Sequence, residues 1–192
     1  MGGDYIEVVE KFKLLGVQIR SDLKWWDNTD YICKKGYTRL WMLRRLKQLG
    51  ASQSELVDVY QKQVRSVLEL AVPVWQPGIT VQEKYQIERV QKCALYIILG
   101  ENYLNYIHAL EMVGLDNLEE RRVKLCNNFA RKASKHPKYK TWFCKESNEP
   151  PIVNTRGKKQ KVTPMFKPVD TRTDRFKNSP LPYLTALLNK TK

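Results

Sequence analysis

Apolar positions change their spacing along this 192-residue chain, and each spacing predicts a different kind of element. Near the start, Val8, Val9 and Phe12 precede a second run of Leu14, Leu15, Val17 and Ile19, which predicts a short hairpin or strand pair. Gly16 inside the second run marks either a bulge or a close approach by another backbone. From about Thr29 the apolar residues recur every three or four positions, the helical period. A first helix is expected from Thr29 to Leu49, capped by Asp27 or Asn28 and stopped by Gly50, with Ile32, Leu40, Leu43, Leu46 and Trp41 as its inward stripe.

Later boundaries are marked by capping chemistry. Ser52-x-x-Glu55 and Thr80-x-x-Glu83 each have the form of a capping box, which closes the free amides of a helix start. The helix after Ser52 presents Leu56, Val57, Tyr60, Val64, Val67 and Leu68 to a partner, and Pro73 should end or kink it. The helix after Thr80 runs through Ile87, Val90, Ala94 and Ile97 to Gly100. A shorter one near Tyr103–Val113 ends at Gly114, and a last one covers Asn117–Lys135 and stops before Pro137. The fold class expected is mainly α: a helical bundle over 23–136, preceded by a β-hairpin in 1–22.

Charge separates that body from the last third of the chain. Residues 1–136 carry a net +5, whereas 137–192 carry +9 and most of the prolines. An extended basic tail, largely irregular, is expected there, with Tyr183, Leu184, Leu187 and Leu188 forming a short helical segment that docks on the body. Arg156, Lys158, Lys159 and Lys161 form its densest basic run, suited to phosphate contact, to nuclear import or simply to a solvated linker.

The whole chain has a formal charge of +14, which favours an anionic partner through phosphate contacts and counterion release. The first helix concentrates this signal. No acidic residue lies between Asp30 and Glu55, while Lys34, Lys35, Arg39, Arg44, Arg45 and Lys47 all do. Ordinary surfaces mix both signs, so a one-sign helix points to phosphate, with a solvated face as the alternative. Trp25, Trp26, Tyr31, Tyr37 and Trp41 interleave with these cations. They suit stacking on bases or sugars, but as a set they read better as core residues.

Catalytic readings find little. The two histidines, His108 and His136, stand in no metal-ligand spacing, and the four cysteines are dispersed, so neither a metal nor another cofactor is expected. There is no G-x-S-x-G and no glycine-rich phosphate loop, so no small-molecule substrate is expected. Glu119-Glu120 beside Arg121-Arg122 reads as an ion-paired helix face. No run is apolar enough to span a bilayer and none resembles a signal peptide, which implies a nuclear or cytoplasmic, non-secreted chain without a membrane partner.

Several segments, in order, resemble one family. Phe12-Lys13-Leu14-Leu15-Gly16-Val17 with Leu23-Lys24-Trp25 is similar to the "F-K-Y-L-G-V … L-x-W" element of non-LTR (LINE-type, jockey-like) retrotransposon reverse transcriptases. The cation-rich first helix resembles the start of their thumb. Ala71-Val72-Pro73-Val74-Trp75, Glu88-Arg89-Val90-Gln91-Lys92, Glu120-Arg121-Arg122 with Leu125-Cys126, and the closing Arg175–Pro180 and Pro182–Asn189 stretch resemble further blocks of the same proteins. The resemblance implies a carboxy-terminal thumb fragment of an RNA-directed DNA polymerase. Phe12, Leu15 and Gly16 would shape a primer grip. Lys34, Lys35, Arg39, Arg44, Arg45 and Lys47 would touch the backbone of a template–primer duplex, RNA or DNA. The family's Tyr-x-Asp-Asp is absent and no Asp-Asp occurs at all, so this chain is not expected to polymerise; fingers and palm would lie before Met1. The alternative is an inert or co-opted helical protein with no nucleic-acid role.

Overall fold

A computed structural model describes residues 8–144 and 165–190. The protein is mainly helical, a helical bundle preceded by a two-stranded hairpin. It divides into two compact units, Met1–Arg122 and Val123–Lys192, so the division falls inside a helix rather than after residue 136.

In the first unit, β1 (Lys11–Leu14) and β2 (Val17–Arg20) pair antiparallel, with Phe12 opposite Ile19 and Leu14 opposite Val17. Leu15 and Gly16 form the two-residue loop, with φ of 47° and 88°. Positive φ at both positions matches the twist of the flanking strands. Gly16 is therefore neither a strand bulge nor approached by another backbone: it completes the turn, and its neighbour is the Leu70 side chain, 2.9 Å from where a Cβ would sit. Leu15 takes up the same left-handed conformation with a side chain, at a cost of about 1 kcal/mol, while 91% exposed.

Helix α1 spans Trp26–Gln48, starting earlier than the spacing suggests, and neither Asp27 nor Asn28 caps it. Both tie it to the hairpin instead. Asn28 Oδ1 accepts the Gln18 amide at 3.1 Å, and Asp27 pairs with Arg20 at 3.1 Å. Ile32, Gly36, Leu40 and Leu43 are buried along its inner side. Gly36 permits the helix crossing, since a Cβ there would meet Val90 at 2.9 Å and Leu68 at 3.1 Å.

The Ser52 capping box opens α2 (Gln53–Val59), which widens into a π-helical stretch, Tyr60–Arg65, before α3 (Ser66–Leu68). Tyr60, Val64 and Leu68 are fully buried there. Pro73 does not break a helix. It lies in the first turn of α4 (Val72–Trp75), where its missing N–H costs nothing, after Ala71 has already turned the chain at φ 51°. Trp75 is buried and donates through Nε1 to the Leu70 carbonyl at 2.7 Å.

The Thr80 box opens α5 (Val81–Leu99), which packs along α1. Asn105 caps α6 (Tyr106–Val113), and left-handed Gly114 ends it. Asn117 accepts the Glu120 amide at 2.8 Å at the start of α7 (Leu118–Lys135). A buried polar seam crosses these helices: Tyr60 donates to Gln91 Oε1, Gln91 Nε2 donates to Tyr106 Oη at 2.9 Å, and Tyr106 donates to Glu88. Burial pushes the Tyr60 and Tyr106 hydroxyls well above their usual pKa.

The second unit holds the remainder of α7, a 3-10 turn at Lys140–Trp142, α8 (Asp174–Lys177) and α9 (Pro180–Lys190). The closing helix is eleven residues long, with Leu184, Thr185 and Leu188 buried. The Asn189 amide exchanges two hydrogen bonds with the Phe166 backbone, both at 2.9 Å, and Phe143 meets Phe166 edge to face. The basic run Arg156–Lys161 lies outside the described residues.

Candidate nucleic-acid interface

The buried line of α1 fixes what faces outward. With Ile32, Gly36, Leu40 and Leu43 inward, residues 34, 37, 38, 41, 45 and 48 recur at three- and four-residue intervals on the opposite side. That stripe reads Lys34, Tyr37, Thr38, Trp41, Arg45 and Gln48, with Arg44 at its α5 edge. All seven are exposed, Trp41 to 67%.

The six cations expected to act together part company in the structure. Arg44 and Arg45 stay at the surface, Arg45 with only a 3.5 Å contact to Gln48 on its own helix. Lys34 is exposed but reaches back to Asp30 at 2.7 Å, a solvated i,i+4 pair worth a few tenths of a kcal/mol. Lys35 leans to the hairpin side and lies 4.8 Å from the Tyr31 ring centre, which Lys13 approaches at 4.9 Å. These two ammonium groups draw the Tyr31 hydroxyl below its usual pKa.

Arg39 and Lys47 are tied to backbone carbonyls of the bundle, Lys47 while still exposed. Arg39 donates to the Gln63 carbonyl in the π-helical stretch, where the widened backbone disturbs the usual ladder. Lys47 donates to the carbonyls of Ile97 at 2.6 Å and Ile98 at 3.3 Å, capping the negative end of α5. Of the six, these two serve the fold.

The aromatic residues also divide, against the expectation that most belong to the core. Trp25 is buried, while Trp26, Tyr37 and Trp41 are exposed. Helix α5 adds exposed Tyr85 and Tyr96, together with Arg89, to the same side of the bundle. Two clefts run between the helices. One, of 540 Å³, is lined by Trp26, Lys34, Tyr37, Gln86 and Arg89; the other, of 860 Å³, by Arg44, Lys47, Lys92, Tyr96 and Tyr103. Asp30 lines the first and Glu101 the second, so the cations outnumber the acids in each. Arg89 and Lys92 entered the sequence reading only within a family-like block, and neither they nor Tyr96 were expected at the site. Their signal was the Arg89 and Lys92 pair on one helix, legible only once the α1–α5 pairing is known.

The hairpin carries the other expected residues. Phe12 and Leu15 are exposed on β1 and at the loop, and Gly16 sits beside Leu70. Glu119 and Arg121 pair with other helices rather than with each other: Glu119 with Lys84 at 2.7 Å, Arg121 with Glu69. Among the described residues no group of three His, Cys, Asp or Glu comes together to hold a metal ion, and no helix is long and apolar enough to cross a membrane. Burial raises the Cys33 thiol to about 12, which keeps it protonated and unreactive.

The site therefore offers flat aromatic faces and unneutralised guanidinium groups along a pair of helices. These groups bind anions and stack on planar ligands; none is a nucleophile poised beside a base. No protein-family model matches the chain, and neither a curated protein nor a solved structure is detectably similar to it.

Proposed function

We propose that the outward face of α1 and α5 holds the sugar–phosphate backbone of a template–primer duplex, as the thumb of a non-LTR reverse transcriptase would, and that this chain does not polymerise. The observation that carries the reading is the row of exposed Lys34, Trp41, Arg44 and Arg45 beside Arg89, without acidic side chains between them on α1. Guanidinium groups on a helix surface suit phosphate oxygens, and contacts of this kind position a duplex without reading bases. In the same proposal, the exposed Phe12 and Leu15 of the hairpin lie against the primer strand.

The competing reading, an inert or co-opted helical protein, draws on the donation of Arg39 and Lys47 to backbone carbonyls and on the Lys34–Asp30 pair. Fluorescence anisotropy with an RNA–DNA hybrid separates the two. Duplex binding predicts affinity that is indifferent to sequence and falls steeply with salt, by about 0.9 in log–log slope for each phosphate neutralised. No binding at low salt favours the inert protein.

A further inference from the structure

The second unit carries its own row of aromatic rings. After α7 the chain turns through His136, Tyr139 and Trp142 by three-residue steps: Tyr139 N–H donates to the His136 carbonyl at 3.0 Å, and Trp142 N–H to the Tyr139 carbonyl at 3.0 Å. At three residues per turn, side chains three apart eclipse one another. The three rings accordingly stand in file, with centres 4.9 Å apart between His136 and Tyr139 and 4.8 Å between Tyr139 and Trp142.

The file is not a core. Phe143, the next residue, is the one that turns inward, buried against Phe166, and this anchors the turn. His136 is exposed and Trp142 is 50% exposed at the open end of the row. The stretch of chain that carries the row has one sign. From Val123 to Cys144 there is no acidic residue, while Lys124, Arg131, Lys132, Lys135, Lys138 and Lys140 are present. Lys138 extends beside the row, its Nζ 5.8 Å from the Tyr139 ring centre. Aromatic rings left in water beside lysines are costly to keep solvated, and they match a ligand that has flat bases on an anionic backbone.

We infer that the His136–Tyr139–Trp142 row is a stacking site for single-stranded nucleic acid, with an unpaired base placed on Trp142 and the adjoining phosphates held by Lys135, Lys138 and Lys140. A duplex does not fit this chemistry, because its bases are already stacked on one another. The inference rests on residues of the second unit alone and does not depend on the reading of α1 and α5.

The test compares two oligonucleotides of equal charge, a thymidine 12-mer and its abasic counterpart, by fluorescence anisotropy with the full chain at one salt concentration. A stacking site binds the thymidine strand more tightly by about five-fold or more, the effect of one stacked base. Trp142→Ala removes that preference, and Trp142→Phe keeps most of it. The abasic strand reports charge alone, so its affinity for Trp142→Ala stays within about two-fold of wild type and shows that the variant is folded. Equal binding of the two strands by the wild-type protein overturns the inference. So does a preference that survives in Trp142→Ala.

Discussion

Two cation-rich regions of the helical unit differ in what neutralises them. Around Glu69, the carboxylate is shared by Arg121 and Arg65, with Glu69 and Arg65 largely withdrawn from solvent. Burial lowers the Arg65 pKa, and the neighbouring Arg121 adds to that shift. On the outer face of α1, Arg44 and Arg45 project into water and pair with no carboxylate among the described residues. The first arrangement is a fastening between helices and the second is an open surface. Positive charge in the sequence does not tell them apart; the position of the side chain relative to the buried line of its helix does.

Breaking the fastening has the largest expected effect. Glu69→Ala leaves two arginines facing each other at a partly buried point, and a loss of about 3 kcal/mol is expected in a urea unfolding titration. Removing the fold-serving lysine of α1 comes next. Lys47→Ala strips a charge-assisted cap from the end of α5 and should cost about 1–2 kcal/mol, while leaving the salt dependence of hybrid binding as it is in the wild type. A changed slope in this variant would show that Lys47, which is exposed, also meets phosphate.

The smallest effect sharpens the picture of the interior. Cys33, with its thiol pushed up to about 12, has a folded-state pKa above its unfolded value. The sign is that of a group that stays protonated on folding: its contribution is complete below about pH 9 and is lost as pH rises toward 12. At pH 8 a small alkylating reagent should modify the exposed Cys144 and spare Cys33, as read by mass spectrometry of the intact chain.

Much of this fold was legible because its signals are local. Ser52 with Glu55 and Thr80 with Glu83 form the capping boxes that their spacing announces, and Ile32, Leu40 and Leu43 fall on the inner line that the helical period assigns. The misplacements have long-range causes. Trp41 lies near the apolar stripe in sequence but on the far side of the helix from Leu40 and Leu43 in space. Asn28 has the chemistry of a cap, yet the hairpin claims its carbonyl oxygen. Lys47 is indistinguishable from Arg44 or Arg45 in composition, and only the arrival of the α5 carboxy terminus gives it a partner fifty residues away. Arg39 depends on a π-helical widening that no periodicity in Tyr60–Arg65 reveals. The candidate site was accordingly visible as a helix but not as a face.

Whether the outward guanidinium groups of α1 meet phosphate is tested most directly by the salt dependence of RNA–DNA hybrid affinity. The measurement compares the wild-type protein with the Arg44→Ala, Arg45→Ala double variant. Two lost phosphate contacts flatten the log–log slope by roughly 1.8 on the duplex-DNA scale, with stability changed by less than about 0.5 kcal/mol. Two slopes that coincide would contradict the account and return this helix face to ordinary solvent.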